Sequence, residues 1–102
     1  MIFVIASIEI APGKRDEFLG HFRQLVPAVR QEAGCLEYLP TIDVETNISA
    51  QGEARPHVVT VVERWESTEA LEDHLIAPHM IEFRMKVKEL TRGTSLQIVT
   101  PA

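Results

Sequence analysis

Residues 57–83, HVVTVVERWESTEALEDHLIAPHMIEF, constrain the fold more than any other part of the chain. The β-branched run Val58, Val59, Val61 and Val62 reads as a strand buried on both faces. It ends in Glu63-Arg64-Trp65-Glu66, where the sole tryptophan arrives among polar groups. Ser67 has the chemistry of a helix N-cap, and Glu69 is placed near the positive end of the helix dipole. The helix predicted over 68–76 carries Leu71, His74 and Leu75 on one side. Pro78 interrupts it, and a second helix is predicted from His79. A tryptophan, a glutamate and two histidines thus meet at the end of one strand and the helix beyond. Chemistry, if any, is expected there.

The rest of the chain arranges itself around this stretch. Residues 2–10 alternate Ile2, Val4, Ala6, Ile8 and Ile10 against Phe3, Ile5, Ser7 and Glu9, a strand with apolar residues on both sides at its start. Pro12-Gly13 turns the chain. Phe18, Phe22, Leu25, Val26 and Val29 recur at helical spacing, so 14–33 is predicted as an amphipathic helix, with Asp16 and Glu17 in its first turn. Pro27 removes one backbone donor and predicts a kink. Gly34 is a natural stop. His21 is expected to face solvent.

Residues 35–43 read as a second strand, weakened by Pro40. Residues 44–56 have no hydrophobic period and are read as a lid or a mobile connection. The third strand is 57–65. In the helix predicted over 79–91, Met80, Phe83, Val87 and Leu90 form one stripe, and Gly93 is read as its stop. The last strand alternates Leu96, Ile98 and Thr100 against Ser95, Gln97 and Val99. The order β-α-β-β-α-β is the ferredoxin-like α+β arrangement, a four-stranded antiparallel sheet with helices on one face. The other face lacks cover from the chain itself, so a second copy is expected on it.

Composition narrows the function. The 102 residues are expected to form one domain, 1–102. A formal net charge of −5 argues against nucleic acid or an anionic membrane surface as a partner. The opening Met1–Ala6 is apolar but short, lacks a basic flank and is interrupted by Glu9. It reads as neither a signal peptide nor a membrane span, and a cytoplasmic location is expected. The single Cys35 excludes an internal disulfide, suits a reducing cytosol, and is read as a small buried hydrophobe.

Each candidate site residue has a functional and a structural reading. Trp65 is either a flat wall for an aromatic ligand or a core anchor. Glu63 shares its side of the strand and would orient a histidine, accept a substrate hydroxyl, or pair structurally. His74 and His79 are the neutral-pH proton acceptors of the stretch, His74 first. Tyr38 and Arg64 are secondary pocket candidates, as is Phe83 beside its core reading. His57 is expected to be exposed. His74 and His79 lack the one-turn spacing of a helical zinc pair, so no metal is expected. Neither a glycine-rich phosphate loop nor a nucleophile elbow is present, so no nucleotide or flavin cofactor is expected.

Pro12-Gly13, Glu32-Ala33-Gly34-Cys35, Glu63-Arg64-Trp65-Glu66-Ser67, Glu72-Asp73-His74-Leu75 and Pro78-His79-Met80, taken together, resemble the antibiotic biosynthesis monooxygenase family, and within it the bacterial quinol monooxygenases. The resemblance implies a homodimeric α/β barrel, a pocket between sheet and helices, and oxygen chemistry often run without metal or flavin. A small electron-rich aromatic, such as a quinol, and O2 would be the substrates. Haem degraders of this fold carry an asparagine in strand one; Ala6-Ser7 stands there instead. An isomerase, or a non-catalytic small-ligand-binding or stress protein on the same scaffold, is the alternative.

Overall fold

The computed structural model describes residues 1–102. The elements run β1 (Ile2–Ile10), α1 (Arg15–Arg30), β2 (Cys35–Thr41), β3 (Val58–Trp65), α2 (Thr68–Leu75), α3 (Pro78–Val87) and β4 (Thr91–Val99). The strands form one antiparallel sheet in the order β2-β3-β1-β4. This is the ferredoxin-like arrangement expected, with the second helix divided in two. Pro78 causes the division: it starts α3 as its first residue, where its missing N–H costs nothing. No helix is long and apolar enough to cross a membrane.

The register sorts the side chains by face, because directly paired residues point the same way. Val4 pairs with Glu63, Ala6 with Val61 and Ile2 with Trp65, and these face the helices. Along β3, Val59, Val61, Glu63 and Trp65 are buried, whereas Val58, Thr60, Val62 and Arg64 are half-buried. The strand is therefore covered on one face and not on both, the helices being confined to one side. On the open side Ile5, Leu39 and Val99 lie exposed beside half-buried Phe3 and Val62. A row of hydroxyl residues, Thr41, Thr60, Ser7 and Ser95, crosses the middle of this face. Thr60 Oγ1 is buried there without a hydrogen-bond partner.

On the covered side, α1 supplies Phe18, Phe22, Leu25 and Val29, α2 Leu71, and α3 Met80, Phe83 and Val87 to one core. Their spacing in α1 is the predicted stripe, and the helix runs on to Arg30 with Pro27 inside it. Phe22 stacks on Tyr38 at 5.4 Å and 9° and meets Phe83 edge-on at 5.6 Å. Such pairs add about 0.5–1.5 kcal/mol beyond the area they bury.

One expectation fails towards the C-terminus. The last helix stops at Val87, and Gly93 lies inside β4, paired with Glu9. Sheet pairing decides this. Ala11 N–H donates to Leu90 O at 2.8 Å and Thr91 pairs with Ile10, so the chain leaves the helix to meet β1, which bulges at Glu9/Ile10. The alternation of Leu96 and Ile98 does not bury them. They turn towards the helix side of the sheet, paired with Ala6 and Val4, yet are 48% and 46% exposed. The helices cover β2, β3 and β1 and leave β4 bare.

The connection from 42 to 57 is closed at its neck. Arg55 donates from its backbone N–H, Nε and Nη2 to both carboxylate oxygens of Asp43, at 2.8–3.0 Å, and Arg15 donates to Arg55 O. The tip is exposed.

Candidate functional site

The side chains with chemical potential gather where the turn after α1 meets α2 and α3. Gly34 makes the meeting possible. It takes φ +83°, and a Cβ at this position would lie 2.6 Å from that of Ala70 on α2. The turn is fixed by Cys35 N–H to Glu32 O at 3.1 Å and by Glu66 N–H to Gly34 O at 2.9 Å. On the other side α2 starts at the expected cap, with Ser67 Oγ accepting from Ala70 N–H at 3.1 Å. The cap sets the helix register that turns Leu71 and His74 inward; Leu75 remains 38% exposed.

Glu32 occupies the junction. Its Oε2 lies 2.8 Å from His74 Nδ1 and 2.7 Å from His79 Nε2. A carboxylate oxygen only accepts, so both of these ring nitrogens carry hydrogen, an assignment made from the bonding network. His74 Nε2 and His79 Nδ1 are then the nitrogens with free lone pairs. A carboxylate that fixes an imidazole's tautomer in this way also stabilises the imidazolium once a proton arrives. Burial holds His74 below the ordinary imidazole range, opposed by its bond to Glu32 and aided by His79 and Arg84. At neutral pH His74 is therefore a neutral acceptor.

The remaining candidates divide into neighbours and outsiders. Trp65 is fully enclosed and packs 4.7 Å from the His74 ring, so it is a core anchor and not an open wall. Its Nε1–H donates to Glu63 Oε1 at 2.9 Å. Glu63 thus orients the tryptophan, and the residue that orients the histidines is Glu32. Burial pushes Glu63 up to about 7, against the Trp65 bond and with help from the Glu32 charge. Tyr38 is buried, with its ring 5.4 Å from His74, and burial and then Glu63 and Glu32 raise its hydroxyl, which stays protonated. Arg64 is on the opposite sheet face, 3.7 Å from Glu37, and takes no part in the cluster. His57 is exposed as expected. Burial, then Glu32 and Glu63, raise the half-buried Cys35 thiol, which leaves it a poor nucleophile.

The cluster reaches the surface at His79, whose side chain is 31% exposed. It opens on a cleft of about 180 Å³ between α1 and α3, lined by His21, Gln24, Leu25, Ala28, His79, Glu82, Phe83 and Lys86. His21 therefore lines this cleft instead of standing free in solvent. A larger hollow, about 680 Å³, lies within the 42–57 connection. Its lining is almost wholly polar and includes no histidine or aromatic residue, so it brings no comparable chemistry.

Sequence reasoning did not single out Glu32 as a site residue. It lies 42 and 47 positions from its two partners, and its local sequence marks only a turn. The one signal available was its place two residues before a glycine that must adopt positive φ. No group of three or more His, Cys, Asp or Glu residues is placed to hold a metal ion.

The sheet, the helices on one face and the carboxylate–imidazole junction between them define a ferredoxin-like α+β protein. The chain belongs to the antibiotic biosynthesis monooxygenase family, whose model matches residues 1–86. It is 37% identical over 103 aligned residues to the "Probable quinol monooxygenase YgiN" of Escherichia coli (strain K12), covering 99% of this chain and 98% of that protein. The crystal structure of PA3566 from Pseudomonas aeruginosa matches at TM-score 0.80 and 27% identity, over 99% of this chain and 93% of that one. The structure of Rv0793 from Mycobacterium tuberculosis, at TM-score 0.80 and 24% identity over 99% and 94%, shares the fold. The protein is thus an enzyme of monooxygenase type.

Proposed function

We propose that the enzyme inserts one atom of O2 into a quinol or similar electron-rich aromatic, using the substrate as its own source of electrons. The carrying observation is the Glu32 carboxylate held between two imidazoles, one buried and one at the surface. The name of the Escherichia coli relative supports the substrate class. Ground-state O2 is a triplet and reacts slowly with closed-shell molecules, unless the substrate itself gives up an electron. A phenolate does so far more readily than a phenol. A phenol ionises only near pH 10, so a base beside it matters, and general-base assistance contributes about 10²–10⁴-fold. The His74–Glu32–His79 cluster supplies the base. For a hydroquinone the sum is quinol plus O2 to hydroxyquinone plus water. One oxygen bonds to a ring carbon, the other leaves as water, and all four electrons come from the substrate. No metal or flavin is needed for this balance, in keeping with the lack of a nucleotide loop or zinc spacing in the sequence.

Trp65 and Tyr38 pack against His74 and hold its ring, and Glu63 fixes Trp65. The same reading includes a homodimer in which a second copy covers the open sheet face. The exposed Ile5, Leu39 and Val99 and the unpartnered Thr60 hydroxyl support it.

Oxygen uptake by the purified, metal-stripped protein with a panel of quinols tests the reaction. Uptake above autoxidation, with formation of a hydroxyquinone, is expected. Uptake no faster than the protein-free control would replace the reading with an isomerase or a ligand binder.

A further inference from the structure

We infer that the cleft between α1 and α3 seats the substrate ring: a single-ring phenol lies against Phe83 and Leu25 with a hydroxyl on Nδ1 of His79. The substrate class rests on the proposed function; the location does not. Trp65 has no exposed surface and His74 is 2% exposed, so neither can receive a ligand in the folded chain without repacking the core. His79 is the member of the cluster that a solute can touch. Its Nε2–H is committed to Glu32, which leaves Nδ1 as the lone pair available to a hydroxyl donor.

Size and chemistry agree. A cavity of about 150 Å³ lined by aliphatic and aromatic side chains takes up a benzene ring, and this cleft measures about 180 Å³. One ring with its oxygens matches that volume. The apolar lining is Ala28, which is exposed, and the edges of Phe83 and Leu25, which are 8% and 7% exposed. Lys86 and Glu82 form an exposed ion pair at 3.3 Å on the rim, polar groups beside the ring's hydroxyl edge. On proton transfer the O–H bond breaks and an N–H bond forms at His79 Nδ1. The resulting imidazolium stays bonded to Glu32, whose other partner is His74. The side chains of His74 and Glu32 are 2% and 13% exposed, so the carboxylate facing the new charge is largely shielded from water.

Phenol itself is the probe, because with one hydroxyl it binds without forming a quinone. Proton NMR of the intact protein follows the imidazole signals, assigned by single substitutions, and the one indole N–H signal, that of Trp65. Saturable shifts at His79 and in the Leu25 methyls are expected, with the Trp65 signal unmoved. Ala28→Trp, at an exposed α1 position on the cleft wall, should weaken phenol at least about tenfold, and cyclohexanol should bind the parent at least about tenfold more weakly than phenol does. A shift at Trp65 without one at His79, no saturable shift at millimolar phenol, or an Ala28→Trp protein that binds phenol as the parent does would each overturn the inference. The readout uses no oxygen chemistry. Phenol bound in the cleft of a protein that consumes no oxygen keeps the site and discards the reaction; oxygen uptake without cleft binding does the reverse.

Discussion

Gly34 and Glu63 show how far single residues decide this site. The glycine could be recognised from the sequence as a helix stop, and it does adopt positive φ. Its second duty, close approach to Ala70, depends on a helix more than thirty positions away and left no local sign. Gly34→Ala should cost about 1–2 kcal/mol from the backbone alone, plus the displacement of α2. Gly13→Ala, also at positive φ but with open space around it, should show the backbone part only. Denaturant midpoints of the two variants measure the difference, and equal losses would show that the Ala70 contact is relieved cheaply. Glu63 gives a pH signature. Its folded pKa is about 7 against an ordinary 4.5, so between those values the native state holds the proton more tightly than the unfolded one. The stabilising contribution is complete below pH 4.5 and is lost as pH rises through 7. The loss amounts to about 3 kcal/mol at most. His74, depressed by burial, acts in the opposite sense as pH falls, so the parent alone does not separate the two. Glu63→Gln removes the glutamate effect and keeps an acceptor for Trp65. Its stability relative to the parent should therefore grow between pH 5 and pH 8, and a constant difference would contradict a buried neutral carboxyl.

At the scale of elements, periodicity carried most of the information. The two-sided apolar strands, the α1 stripe and the Ser67 cap all appear where the residues put them, because each is fixed by neighbours within a turn or two. The errors lie where distant pairing overrides local pattern. Helix α3 ends at Val87 because Thr91 is claimed by β1, and no residue between 88 and 93 announces that. The stripe itself is sound: Met80, Phe83 and Val87 are buried. Phe83→Ala should cost about 3–5 kcal/mol through lost transfer energy and a cavity beneath Phe18 and Phe22. An unchanged denaturation midpoint would show that α3 does not depend on its core contact. Phe83→Leu, which keeps most of the volume, should retain much of that stability and still alter the cleft.

For the molecule as a whole, the sheet covered on one face is the dominant fact. The apolar character of the second face could be read from Phe3, Ile5, Val58 and Val62, and it is the reason a second copy enters the proposed function. Obligate homodimers commonly bury 2,000 Å² or more in total. Light scattering at micromolar protein should give twice the chain mass. Leu39→Glu, which places a charge on the open face away from the helices, should split the assembly. A parent that scatters as a folded monomer would remove the dimer.

The clamp between Asp43 and Arg55 has a practical corollary for protein engineering. Because the two strands are already joined at the neck, the sheet pairing of β2 with β3 does not rely on what the intervening segment contains. Lengthening a flexible segment costs only about 0.6 kcal/mol per doubling. The exposed tip, residues 46–52, contributes nothing to the core, the histidine junction or the α1–α3 cleft. A reporter peptide or affinity tag spliced there should leave melting behaviour close to that of the parent, whereas the same insertion in an Arg55→Ala background should loosen the strand ends it hangs from.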